Sequence, residues 1–163
     1  MENYPSYCLK KNLVLGCGNI FFGDDGFGPE FIKYLEESGL IPEDTIAINA
    51  GLSIREILFN IVLSDKKPER IVIIDAVDLG EEPGEIFEVD LDEIPKIKID
   101  DFSMHQMPTS NLLKELKEKG NVEVRVLSIQ VENIPEEISP GISEKLKNSY
   151  EKMYQKLVKI LEE

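Results

Sequence analysis

The chain has 163 residues, of which 42% are hydrophobic and 31% charged, and its 32 acidic side chains against 18 basic ones leave a formal charge of -14. That length predicts one compact domain, 1–163, able to bury a sizeable core, and that charge repels phosphate backbones and anionic lipid, so neither nucleic acid nor a membrane surface is an expected partner. No apolar run approaches the roughly 20 residues of a spanning helix and Met1 to Lys11 lacks the pattern of a secretory signal, which predicts a soluble, cytoplasmic protein.

Asn12 to Cys17 is almost uninterrupted in apolar character, as a parallel strand covered on both faces requires. It breaks into Gly16-Cys17-Gly18 and reaches Asp24-Asp25 just before an amphipathic segment carrying Phe27, Phe31, Tyr34 and Leu35 on one face. This predicts a helix that starts close to Asp25, holds Pro29 in its first turn and ends before Gly39. Thr45 to Asn49 reads as a second strand. Gly51-Leu52-Ser53 then leads into a helix, where Ser53 and Glu56 have capping-box spacing ahead of Ile54, Ile57, Leu58, Ile61 and Val62. Ile71 to Ile74 is the most strand-like run in the chain, and Asp75 is expected to end it.

Glu85 to Leu91 alternates apolar with acidic residues, predicting a strand near a sheet edge. Asp92 to Met107 has no clean periodicity and holds His105, the only histidine. A helix is expected from about Thr109 to Lys119, with Gly120 as its stop, and a strand from Asn121 to about Val131. One last helix is expected to carry Ile142, Leu146, Tyr150, Met153, Leu157 and Ile160 as a core stripe. The alternation predicts an α/β three-layer sandwich with a mostly parallel central sheet of about five strands, whose ligands gather beyond the strands' carboxyl ends. Cys8 and Cys17 make no metal-type pair and read as free thiols.

Gly16 and Gly18 after a strand invite a dinucleotide reading, which would make the chain an oxidoreductase. However, Phe21 stands where that fingerprint needs its third glycine, and the second strand ends in Asn49 instead of an acid for a ribose hydroxyl. No nucleotide cofactor is expected. Asp25 and Asp75 on strand-end loops, joined by His105, would form a mixed oxygen and nitrogen site suited to a borderline divalent metal such as nickel or zinc. Taken singly, the acids serve equally well as helix-start or loop-capping residues, and His105 as a surface residue. The chain contains neither His-Glu-x-x-His nor Gly-x-Ser-x-Gly, so a hydrolase here would rely on a metal to activate water or polarise a carbonyl.

Three segments, Leu13 to Gly28 as Gly-x-Gly-Asn-x-x-x-x-Asp-Asp-Gly-x-Gly, Ile73 to Val77, and Ser103 to Gln106, resemble in order and spacing the hydrogenase maturation endopeptidases. Those enzymes trim a C-terminal extension from the large subunit of nickel-iron hydrogenases. The resemblance implies a three-layer α/β fold, a metal-binding trio of Asp25, Asp75 and His105, and nickel contributed by the substrate precursor. It makes Asp25 and Asp75 the catalytic candidates, with roles unassigned, and Asn49 and Gly51 candidate substrate contacts. Relatives often carry an aspartate and a second glycine in the turn that here reads Asn49-Ala50-Gly51-Leu52, and Asn49 cannot act as a general base. His105 to Ser110 and Gln130 to Pro135 look most like the branch serving deazaflavin-coenzyme-reducing hydrogenases. The alternative is a metallochaperone or docking module that binds the precursor through the same trio without cutting it.

Overall fold

The computed structural model describes residues 3–91 and 107–163. Five strands, β1 (Asn12–Cys17), β2 (Thr45–Gly51), β3 (Arg70–Val77), β4 (Ile86–Val89) and β5 (Glu123–Gln130), form one sheet in the order β2-β1-β3-β5-β4. All neighbours are parallel except β4, which lies antiparallel to β5 at the edge. The helices are α1 (Phe27–Glu37), α2 (Ile54–Leu63), α3 (Met107–Glu118), α4 (Glu144–Lys147) and α5 (Tyr150–Leu161), with a 3-10 turn at Gly23–Gly26.

β1 and β3 are buried along their whole length because helices cover both faces. On one face Val14, Val72, Ile74, Leu127 and Ile129 pack against α1 and α5, and on the other Leu13, Leu15, Ile71, Ile73, Val124 and Val126 pack against α2 and α3. Phe27 and Phe31 are fully buried and stack at 5.8 Å; each contributes about 3 kcal/mol through burial. Among the described residues no helix is long and apolar enough to cross a membrane.

The expected α/β sandwich with about five mostly parallel strands is the fold observed, and three local expectations are corrected. Asp75 does not end β3 but lies within it, two residues short of Val77. Ser53 occupies the N-cap position of α2, yet its side chain makes no capping bond. The last helix is two: α4 stops at Lys147, and Ser149 turns its hydroxyl back onto the Lys145 carbonyl at 2.8 Å before α5 begins. The stripe of Leu146, Met153, Leu157 and Ile160 still faces one core across that break.

The two ends of the sheet differ. At the amino end the buried Arg70 guanidinium donates to Asn12 Oδ1 (3.2 Å), the Leu161 carbonyl (3.1 Å) and the Glu163 carbonyl (3.2 Å), and it pairs with Glu123, which locks the chain's last residues down. At the carboxyl end the connections diverge: β1 leads through α1 toward β2, while β3 leads away toward β4 and β5. That divergence, between β1 and β3, is where open α/β sheets place their ligands.

Candidate active site

The turn after β1 is built by close backbone contact. Gly18 has φ +137, and a Cβ there would sit 1.9 Å from the Asp25 carbonyl oxygen. A Cβ on Gly28, in the first turn of α1, would meet the Cys17 carbonyl at 2.3 Å and the Ile74 carbonyl at 2.8 Å. The glycines therefore let the start of α1 press onto β1 and β3, a packing role. The 3-10 turn in between touches β3 and presents two buried carboxylates.

Those two carboxylates have different surroundings. Asp24, 1% exposed, accepts the N–H groups of Glu132 (2.8 Å), Asn133 (3.1 Å) and Ser143 (2.6 Å) and the Ser143 hydroxyl (3.1 Å). Four donors saturate it as a structural anchor. Asp25, 3% exposed, accepts the Asn19 N–H through Oδ2 at 3.0 Å.

Asp75 is 1% exposed and accepts the Ala76 N–H through Oδ1 at 2.9 Å. Because strand side chains alternate, it continues the row Ile71, Ile73 toward the face covered by α2 and α3. Cys17 is buried on that same face, and in register beside Asp75 stands Ser128, whose buried hydroxyl has no hydrogen-bond partner among the described residues. Asp25 and Asp75 thus belong to the same end of the sheet, on adjacent segments.

Asn49 and Gly51 reach that end on β2, where the pairing of Gly16 with Asn49 and of Cys17 with Gly51 leaves Ala50 as a bulge. Together with Gly18, Asn19, Ile20 and Phe21 they line an open groove of about 280 Å³. His105 lies outside the described residues; α3, which covers the Asp75 face, begins two residues later in the chain. Among the described residues no three His, Cys, Asp or Glu side chains group so as to hold a metal ion. The carboxylates present supply two oxygen donors, and an imidazole would complete a mixed set of the kind that borderline divalent metals accept.

Residues 29–160 match the family model described as hydrogenase maturation protease. The chain belongs to that family. It is 40% identical over 144 residues to a putative hydrogenase maturation protease of Methanocaldococcus jannaschii, covering 88% of this chain and 91% of that one. Over 115 residues it is 41% identical to the coenzyme F420 hydrogenase subunit delta of Methanothermobacter thermautotrophicus, covering 69% and 70%. The hydrogenase 3 maturation protease of Escherichia coli is 31% identical over 146 residues, covering 90% and 88%. A crystal structure of a hydrogenase 3 maturation protease superposes with a TM-score of 0.70 at 28% identity, over 91% of this chain and 89% of that one.

As a hydrogenase maturation protease family member, the chain has its matched segment running through Asp75 and His105, while Asp25 sits four residues ahead of it. Two site features escape the sequence reading. The anchoring of Asp24 depends on donors 108 to 119 residues away, for which the local sequence carries no signal. Ser128 did carry one: it is the polar member of the otherwise apolar alternating row Val124, Val126 on its face of the strand.

Proposed function

We propose that the chain is an endopeptidase that removes the C-terminal extension of a nickel-iron hydrogenase large-subunit precursor, in the cytoplasm, after nickel has been inserted. The observation that carries this reading is family membership over residues 29–160, joined to two buried carboxylates at the switch point between β1 and β3. Identity of 41% with a coenzyme F420 hydrogenase subunit supports an F420-type hydrogenase as the source of the precursor.

In this proposal nickel is part of the substrate. Asp25, Asp75 and His105 grip the ion that the precursor carries, and that grip fixes the scissile peptide beside the carboxylates. Burial of Asp25 and Asp75 keeps them away from bulk water, so a charge meeting them there is felt strongly. One of the two carboxylates then orients the attacking water. A precursor without nickel offers the trio nothing to hold, so proteolysis waits for metal loading.

The test is intact-mass spectrometry of purified precursor, nickel-loaded or nickel-free, after incubation with this protein. The loaded precursor is expected to lose the mass of its extension and the nickel-free one to stay whole. Equal cleavage of both overturns the gating. A loaded precursor that binds but keeps its full mass overturns the protease and leaves a metallochaperone. Replacing His105 by Ala, or Asp75 by Asn, is expected to abolish cleavage; full activity in either removes that residue from the mechanism.

A further inference from the structure

The groove beside Asp25 has properties that the cleavage chemistry does not require. Ile20, Phe21 and Leu52 are 43%, 52% and 56% exposed there, a cluster of large apolar side chains facing solvent at one spot. Apolar patches of this kind on a folded domain mark contact surfaces. Phe21 is held outward by its backbone: its N–H donates to Asn19 Oδ1 at 2.9 Å, and its carbonyl accepts the Ser139 N–H at 2.8 Å. The aromatic ring is therefore presented by a fixed turn, which lowers the entropy lost when something covers it.

Two further facts restrict the occupant. Among the described residues no charged side chain lines the groove, in a chain where 31% of residues are charged and the net charge is -14. A basic partner would meet acids at its contact, so this one is uncharged and apolar. The groove also runs from Asn19, whose N–H binds Asp25, to Asn49 and Gly51 on β2, an edge strand of the sheet. An extended polypeptide laid there can add its backbone to the outer edge of β2 while its side chains meet Ile20, Phe21 and Leu52.

We propose that this groove docks an uncharged, apolar stretch of the substrate polypeptide next to the scissile bond, bound in extended form, so that Phe21 and Leu52 decide which polypeptides are cut. The inference rests on the protease reading above and names the part of the substrate that the site recognises.

The experiment pairs kinetics with crosslinking on the nickel-loaded precursor. The double variant Phe21→Ser, Leu52→Ser is expected to raise KM about tenfold while kcat stays within about twofold, the pattern of lost docking with intact chemistry. A photo-crosslinking amino acid at position 52 is expected to capture the C-terminal region of the precursor around the cleavage site. The same amino acid at Leu63, 67% exposed at the far end of α2, is expected to capture nothing. An unchanged KM, or capture at position 52 of a second copy of this chain or of a precursor region remote from the cleavage site, overturns the proposal. If wild-type protein leaves the precursor whole, the protease reading fails by itself, and the crosslink at position 52 still decides the docking.

Discussion

Replacing Asp24 by Asn keeps the shape of the anchor and changes its hydrogen-bond polarity. Oδ1 faces one backbone N–H, that of Ser143, and Oδ2 faces two, those of Glu132 and Asn133, with the Ser143 hydroxyl. In either orientation the new NH2 group points at a donor. The better orientation sacrifices only the Ser143 N–H, and leaving that buried donor unpaired costs about 2 kcal/mol. The surviving bonds lose their charge assistance, which removes about 2 kcal/mol more. A total of about 4 kcal/mol corresponds to a melting temperature lowered by about 12 °C for a chain of this size. Thermal unfolding followed by circular dichroism reads this directly. Ser143→Ala, which deletes only the hydroxyl contact, is expected to cost about 1 kcal/mol. If Asp24→Asn lowers stability by less than about 1 kcal/mol, the anchor argument is refuted.

Gly28→Ala drives a methyl into backbone atoms of Cys17 and Ile74 and is expected to lower stability by about 3 kcal/mol in urea unfolding. At Gly39, where φ is +63 and no atom crowds the position, Ala is expected to cost only about 1 kcal/mol; equal losses at the two sites would contradict the close-packing account. Burial, and secondarily the charge of Glu30, pushes the Tyr150 hydroxyl up to about 12. Ionisation is thus easier in the unfolded chain, so the contribution of this group is complete below about pH 10 and declines as pH rises toward 12. Tyr150→Phe is expected to flatten that part of a stability-against-pH curve, and an unchanged slope would refute it. Cys8 and Cys17 are both buried, and burial raises the Cys8 thiol pKa. Native protein treated briefly with iodoacetamide near neutral pH is expected to keep both thiols, and rapid loss of either contradicts the burial.

The sheet could be read from the sequence because its central strands are covered on both sides, and uninterrupted aliphatic runs such as Ile71 to Ile74 have few other uses. Their ends were harder to see. Asp75 looks like a stop, yet β3 pairs with β5 as far as Val77, and the Asp75 carboxylate is accommodated by the Ala76 N–H. Ser53 matches a capping box in spacing only, since its backbone, at φ -96 and ψ 14, is not in the extended conformation that lets an N-cap side chain reach the helix's first N–H groups. The break at Ser149 was hidden because the apolar stripe keeps its period through it. At the site, the strand pattern was enough to place Asp25 and Asp75 at the carboxyl end of the sheet. What separates Asp24 from Asp25 is set by the segment from Glu132 to Ser143, whose approach to that turn is a property of the folded chain.

The tie between Asp24 and that distant segment also governs when the molecule becomes competent. A ribosome delivers Asp24 119 residues ahead of Ser143, so the turn carrying Asp25 lacks its full set of four donors until Ser143 has emerged. A chain stopped between Asn133 and Ser143 would keep only the Glu132 and Asn133 N–H groups, half of the four contacts that fix the Asp24 carboxylate and, with it, the turn carrying Asp25.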